Sequence, residues 1–420
     1  EDLQIFMQNQ ITIMINQNRV KFPGAQPISV EPRKHISIIA NKDFKVCEKT
    51  DGTRFLLYMD LEPYTKELSE ENQGTLIKEL DHRLVDIYFI DRDYKFYSCK
   101  ASIRYYKLKE MIKSVALIKN FKLLLDGELV CDKQDGKEEL NYYLFDCLFC
   151  STSFVNQFFT PRLEKANSCI QIFRLINKLS SKDVEIIAVN MKQKNFKDKT
   201  GIQQILDESK RLNHHSDGII FTQEERQYEF GTTSAILKWK PKKEITVDLQ
   251  MTLSVRACGI LKTGVDPINI TKESYEYKKV YQQQLHVSSS GFKEESPIEQ
   301  SGIYVIDELK YKKTQVMIEK AKNSLIVEVY WNTEKQIEQL QFVCEHDGKQ
   351  IYKIVTNKGG WELNKVRTDK YLPNDRFVYD SVIRSYDQFI GIAEMIEIIN
   401  GKKKVPGVNT KPNVFVRVKQ

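Results

Sequence analysis

From Ile245 to Val255 the chain alternates without a break: Ile245, Val247, Leu249, Met251, Leu253 and Val255 are apolar, and the residues between them are polar. A period of two over that length describes a strand with one buried and one wet face, not a helix. It follows Pro241 and opens a region where Ile303–Leu309, Leu325–Trp331 and Gln339–Cys344 are further strand candidates. Residues 244–377 are therefore expected to form a small β-barrel, with the polar segment 262–301 as an inserted loop containing Ser288-Ser289-Ser290-Gly291.

Residues 1–243 read differently. Leu123, Leu124 and Leu125 lead into Asp126-Gly127-Glu128-Leu129-Val130, a buried strand that turns and continues. Tyr142 to Phe149 is a second apolar run, with Asp146 its single acid. Ala166, Cys169, Ile170, Phe173, Ile176 and Leu179 recur at helical spacing. The expected class is α+β: mixed or antiparallel sheets with flanking helices, a β-barrel, and a C-terminal region 378–420. There Val382, Ile383, Tyr386, Phe389, Ile390, Ala393, Ile396 and Ile399 predict one amphipathic helix, which Gly401 stops before a basic tail. A chain of 420 residues is too long for one ordinary core, which agrees with this division.

The net charge of +7 suits an anionic ligand such as nucleotide or RNA. No apolar run approaches the length of a membrane span. The 8 cysteines have no disulfide or zinc spacing, and Cys147 and Cys150 form a Cys-x-x-Cys without a second pair. They read as core residues in a reducing compartment, cytosol or nucleus.

Five ordered segments carry chemistry. Glu48-Lys49-Thr50-Asp51-Gly52-Thr53-Arg54 places an amine beside a tight turn. Taken alone, Asp51-Gly52 is an ordinary hairpin turn. Glu128 adds a carboxylate at a strand turn, Phe145 an aromatic face beside Asp146, and Asp217 a further carboxylate within Ser216–Phe221. Lys238 and Lys240, two apart on a strand, point to one side. Together they hold the parts that nucleotidyl transfer to lysine requires. Cations neutralise phosphate, Glu128 and Asp217 supply oxygen ligands for a divalent ion, Phe145 stacks on a base, and Arg54 and Glu128 bond sugar hydroxyls. A P-loop is absent from the sequence.

This set resembles the covalent nucleotidyltransferase superfamily of DNA ligases, RNA ligases and eukaryotic mRNA capping enzymes. Lys49 directly after Glu48, and the approach Phe22-Pro23-Gly24-Ala25-Gln26-Pro27, are similar to the capping enzymes. So is Arg367-Thr368-Asp369-Lys370-Tyr371-Leu372-Pro373-Asn374, the form of their last motif, which sits on an OB-fold. The resemblance spans about residues 22–400 and implies an mRNA guanylyltransferase with Lys49 as nucleophile, and Arg367, Asp369 and Lys370 acting on the leaving pyrophosphate. Implied GTP contacts are Thr50, Asp51, Arg54, Glu128, Phe145, Asp217, Lys238 and Lys240, with Lys194, or else Lys192, on the guanine. Also implied are Mg2+ or Mn2+ at Glu128 and Asp217, 5′-diphosphate RNA as acceptor, the phosphorylated tail of RNA polymerase II as partner, and a nuclear location. The RNA triphosphatase is expected on a separate protein or upstream region, since no His-Cys nucleophile pair occurs. The alternatives are an ATP-dependent RNA or DNA ligase, or a non-catalytic RNA-binding scaffold; intact Lys49 and Lys240 speak against the scaffold.

Overall fold

The computed structural model describes residues 2–60, 82–104, 122–176, 190–288, 295–297, 302–322 and 324–404. They divide into two compact units, Glu1–Trp239 with a segment opening at Ile390, and Lys240–Phe389. In chain order the first unit holds α1 (Asp2–Met14), β1 (Ala25–Ser29), α2 (Pro32–Asn41), β2 (Phe44–Thr50), β3 (Thr53–Asp60), β4 (His82–Ile90), β5 (Phe96–Arg104), β6 (Lys122–Gln134), β7 (Lys137–Cys150) and β8 (Thr152–Ser153). It continues with α3 (Phe159–Ile176), β9 (Asn190–Gln193), β10 (Lys197–Asp198), α4 (Ile202–Ser209), β11 (Ser216–Gln223) and β12 (Gly231–Trp239).

These strands form two mainly antiparallel sheets, β1-β12-β11-β2-β10 and β5-β4-β3-β6-β7-β8, with β9 against β7. The leucine run of β6 is fully buried, and Ala166, Cys169 and Ile170 of α3 pack with Leu123 and Leu125 in one core. Burying each large apolar side chain there contributes about 1.5–3 kcal/mol. Leu179, expected at the end of that helix, lies outside the described residues.

Consecutive strands β2 and β3 belong to different sheets. The Asp51-Gly52 turn that carries the chain across rests on β6. A Cβ at Gly52 would stand 2.7 Å from the Leu129 carbonyl oxygen and 2.8 Å from Glu128 Cγ. Only glycine lets the turn approach that closely.

The second unit holds β13 (Thr246–Leu261), β14 (Tyr275–Ser288), β15 (Glu295–Pro297), β16 (Ile303–Ile306), α5 (Glu308–Lys320), β17 (Leu325–His346), β18 (Lys349–Val366) and α6 (Arg376–Asp387). The predicted strand opens it: Val247, Leu249 and Met251 are buried with Trp361, Tyr379 and Tyr386, but Asp248 and Gln250 of the face expected to be wet are buried too, and Val255 is exposed. β13 pairs with β14 and β17 antiparallel and meets β18 at Gly259 and Ile260, a closure compatible with the expected OB-fold barrel.

Several expectations need correction. The segment 262–301 is not one inserted loop, because β14 occupies its middle and pairs with β13 from Gln250↔His286 to Leu261↔Tyr275. Its Gln282-Gln283-Gln284 run hides an alternation in which Gln283, Leu285 and Val287 are buried, while Val280 and Gln282 are buried on the opposite parity. Gly291 and Ser289-Ser290 lie outside the described residues. The run predicted as a strand to Leu309 stops at Ile306, where Asp307 caps α5 by accepting the Lys310 N–H at 2.7 Å. The candidates at Leu325–Trp331 and Gln339–Cys344 are parts of one strand, β17. The single C-terminal helix is two: α6 ends at Asp387, and α7 (Ile392–Ile399) starts after Gly391. Between them the Ile390 carbonyl accepts the Trp239 indole N–H at 3.0 Å, withdrawing it from helical bonding. The basic tail from residue 405 onward lies outside the described residues.

Candidate active site

The two sheets of the first unit enclose a pocket of about 730 Å³, counted to its open mouth. Cys47, Lys49 and Thr50 of β2 line it from the five-stranded sheet, with Ile220, Thr222 and Ile236. Arg54, Asp126, Glu128, Phe145 and Asp146 line it from the seven-stranded sheet. Lys194 and Phe196, between β9 and β10, and Phe159 of α3 complete much of the wall. A largely apolar slot with a few convergent charges is the form of a small-molecule site.

Lys49 is half-buried, and its Nζ donates to Asp217 Oδ1 at 2.7 Å. Asp217 reaches it because β11 and β2 break register between Ser216 and Ile219. On the other side of the slot, Arg54 donates through Nε to Asp126 Oδ1 at 2.9 Å, through Nη2 to Asp126 Oδ2, and through Nη1 to the Ala25 carbonyl. The expected sugar contact therefore falls to a guanidinium with three of its five N–H groups already committed. Its carbon stands 5.6 Å from the Phe145 ring centroid.

Lys194 is almost wholly buried. Its Nζ donates to Thr50 Oγ1 at 2.6 Å, lies 3.4 Å from Glu48 Oε1, and stands 6.0 Å from the Phe145 centroid. Burial acts to lower its pKa, but the surrounding groups together, Glu48 first and Glu128 among them, outweigh this and raise it. Burial likewise acts to raise the Glu48 pKa; Lys194, with His214 and Thr50, holds that carboxyl down at about 2. For Glu128 burial wins, and its pKa is raised against the pull of Lys194, Lys49, Arg54 and Arg92.

The structure thus gathers Lys49, Thr50, Arg54, Glu128, Phe145 and Lys194 in one pocket, with Asp217 on the Lys49 amine. Asp51 is exposed, 3.5 Å from His215 Nδ1, and lines a neighbouring shallow cavity with Gly52 and His214. Lys192 binds Asp132 at 3.2 Å and is absent from the pocket wall, whereas Lys194 lines it. Lys238 is half-buried in β12, in register with Ile220, and Lys240 opens the second unit. Within that unit, Arg367 donates to Asp248 at 2.9 Å and to Asp369 at 2.6 Å, and Lys370 pairs with Asp248. Sequence reasoning missed Asp126, Tyr228, Phe159 and Phe196 as pocket residues, because segments far apart in the chain bring them together. It noted Asp146 only as an acid beside Phe145; Arg162 holds it at 2.8 and 3.0 Å.

Among the described residues no group of three or more His, Cys, Asp or Glu gathers to hold a metal. Glu128, on the pocket wall, and Asp217, on the Lys49 amine, are oxygen donors of the kind a magnesium-type ion takes, one or two at a time beside substrate phosphate and water.

Residues 1–242 match the family model described as mRNA capping enzyme, catalytic domain, and residues 244–396 match mRNA capping enzyme, C-terminal domain. The mRNA-capping enzyme subunit alpha of Neurospora crassa is 28% identical over 293 residues, covering 68% of this chain and 67% of that protein. The protein of the same name from Schizosaccharomyces pombe is 31% identical over 60% of this chain and 58% of its own length. That from Saccharomyces cerevisiae is 26% identical over 408 residues, 91% of this chain and 79% of that protein.

Proposed function

Because this chain belongs to the mRNA capping enzyme family and is thereby an mRNA guanylyltransferase, we propose that Lys49 is its nucleophile and that the pocket between the two sheets receives GTP. The observation that carries this is the Lys49 amine in a slot with Arg54, Glu128, Phe145 and Lys194. The neutral amine attacks the α-phosphorus. A P–N bond forms, the bond to the bridging oxygen breaks, pyrophosphate leaves, and the nitrogen gives up one proton to solvent. In the second step the terminal oxygen of 5′-diphosphate RNA attacks that phosphorus, the P–N bond breaks, and the amine regains its proton.

Each pocket residue has a part. Asp217, hydrogen-bonded to the amine, orients Lys49. Phe145 stacks on the base, and Lys194 offers its remaining N–H to the guanine carbonyl oxygen, an acceptor that adenine lacks. Arg54 and Glu128 face the sugar, while Thr50 and Asp51 set the turn. Lys238 and Lys240 counter phosphate charge, and Arg367, Asp369 and Lys370 orient the departing pyrophosphate, exchanging their present partners for it. A Mg2+ or Mn2+ ion at Glu128 and Asp217 would supply charge neutralisation at the phosphates. The same reading extends to a nuclear enzyme that meets the phosphorylated polymerase II tail and receives RNA from a triphosphatase elsewhere.

Incubation with GTP radiolabelled at the α-phosphate and either metal is expected to give an acid-labile, base-stable adduct that Lys49→Ala abolishes. Labelling from ATP in place of GTP, or labelling that survives Lys49→Ala, would overturn the assignment.

A further inference from the structure

One buried cluster behind the nucleotide wall has no part in the steps above. His214, just before β11, has an almost wholly enclosed ring. Its Nδ1 is 2.7 Å from Asp132 Oδ1, and the Tyr143 ring meets it edge-on at 4.8 Å. Its Nε2 makes no hydrogen bond, and stands 3.7 Å from Glu48 Oε1. Glu48 Oε1 in turn accepts from Thr50 Oγ1 at 2.6 Å and faces Lys194 at 3.4 Å. A line of polar groups thus runs from the shallow cavity that His214 borders, through Glu48, to two residues of the pocket wall beside Lys49.

The ring has an anion on each side. A neutral imidazole bonded to Asp132 through Nδ1–H would turn the Nε2 lone pair toward the Glu48 carboxylate. A protonated ring presents an N–H to both. We propose that His214 is a positioning residue for guanylyl transfer: as an imidazolium between Asp132 and Glu48, it fixes Glu48 and thereby Thr50 and Lys194, the lysine that receives the base. The inference rests on the reading of the pocket as the GTP site.

The surroundings agree. Facing His214 are Asp132 from β6, Glu48 from β2 and Tyr143 from β7. Behind them Lys192 pairs with Asp132, and Lys194 with Glu48. Burial acts to lower the His214 pKa, but the Glu48 and Asp132 carboxylates on its two sides raise it. A raised value means the imidazolium is present below it and lost as pH rises through it. The contribution to GTP binding should follow the same course.

The test compares self-guanylylation by the full chain and by His214→Gln, from about pH 6 to about pH 9, at limiting and saturating GTP. The wild type is expected to show KM for GTP rising by about 10-fold on the alkaline side, the scale of one charge-assisted hydrogen bond. His214→Gln should show a flat KM near the wild-type alkaline value, with kcat changed by less than about 2-fold. A variant that keeps the wild-type pH dependence of KM overturns the proposal, as does one that lowers kcat alone. Should His214→Gln not fold, Asp132→Asn decides: removing the outer anion must move the KM transition to lower pH, and an unmoved transition refutes the role. Equilibrium GTP binding to Lys49→Ala, with and without His214→Gln, separates the two readings. If the wild type forms no adduct, the assignment of Lys49 fails, and the binding comparison still decides His214.

Discussion

Removing the charge of Asp126 is expected to destabilise the first unit by about 3–5 kcal/mol, the cost of leaving a buried cation without its partner. Asp126 is fully buried, and it accepts from Arg54 at 2.9 Å through Nε, again through Nη2, and from the Tyr228 O–H at 3.0 Å. Asp126→Asn keeps the volume but sets an amide NH2 against the guanidinium, so at least one Arg54 donor faces another donor. The lower end of the range is favoured because the Ala25 carbonyl, and the Phe22 and Phe145 rings at 5.9 and 5.6 Å, still surround the cation. Urea midpoints of the full chain read the loss, and a cycle of Asp126→Leu, Arg54→Met and the double variant isolates the pair. The double variant is expected to recover about 2 kcal/mol relative to the sum of the singles, because it buries no lone charge. It should nevertheless label poorly with GTP. A loss under about 1 kcal/mol in Asp126→Asn, or an additive cycle, would refute the reasoning.

Two further outcomes follow from the same structure. The Glu48 carboxyl is held at about 2 against an ordinary 4.5, so its contribution, up to about 3 kcal/mol, is complete above pH 4.5 and lost as pH falls toward 2. Unfolding midpoints measured at several pH values across that window should fall more steeply in the wild type than in Glu48→Gln. In the second unit the Tyr386 hydroxyl donates to the Ile245 carbonyl and accepts the Trp331 N–H at 2.8 Å, so Tyr386→Phe should cost about 1–2 kcal/mol by thermal melt.

What the sequence made legible was local. The alternation from Ile245 to Val255 appears as the first half of β13, and the leucine run before Asp126 as a buried strand. Five Asp-Gly pairs could not be told apart as turns; the segments that followed in order singled out the one after Lys49. What stayed hidden depends on pairing between residues far apart. Nothing near Asp126 signals that Arg54 is its partner 72 positions away, or near His214 that Glu48 and Asp132 flank it. β14 was hidden by three glutamines in a strand whose buried side is partly polar, with Gln282 and Gln283 themselves buried. The break between α6 and α7 was invisible to periodicity, because Ile390 continues the apolar face while its carbonyl bonds Trp239 instead of the next turn.

Because β2 and β3 lie in different sheets, the opposite walls of the pocket are two sheet surfaces held apart by a core they share, not two loops. The gap between them is a spacing fixed by core volume, as the gauge of a track is fixed by its ties. Breadth of nucleotide choice is therefore tunable from behind the walls. Adding or deleting a methylene among buried residues such as Leu124 or Leu148 would widen or pinch the slot without altering any group that touches the ligand.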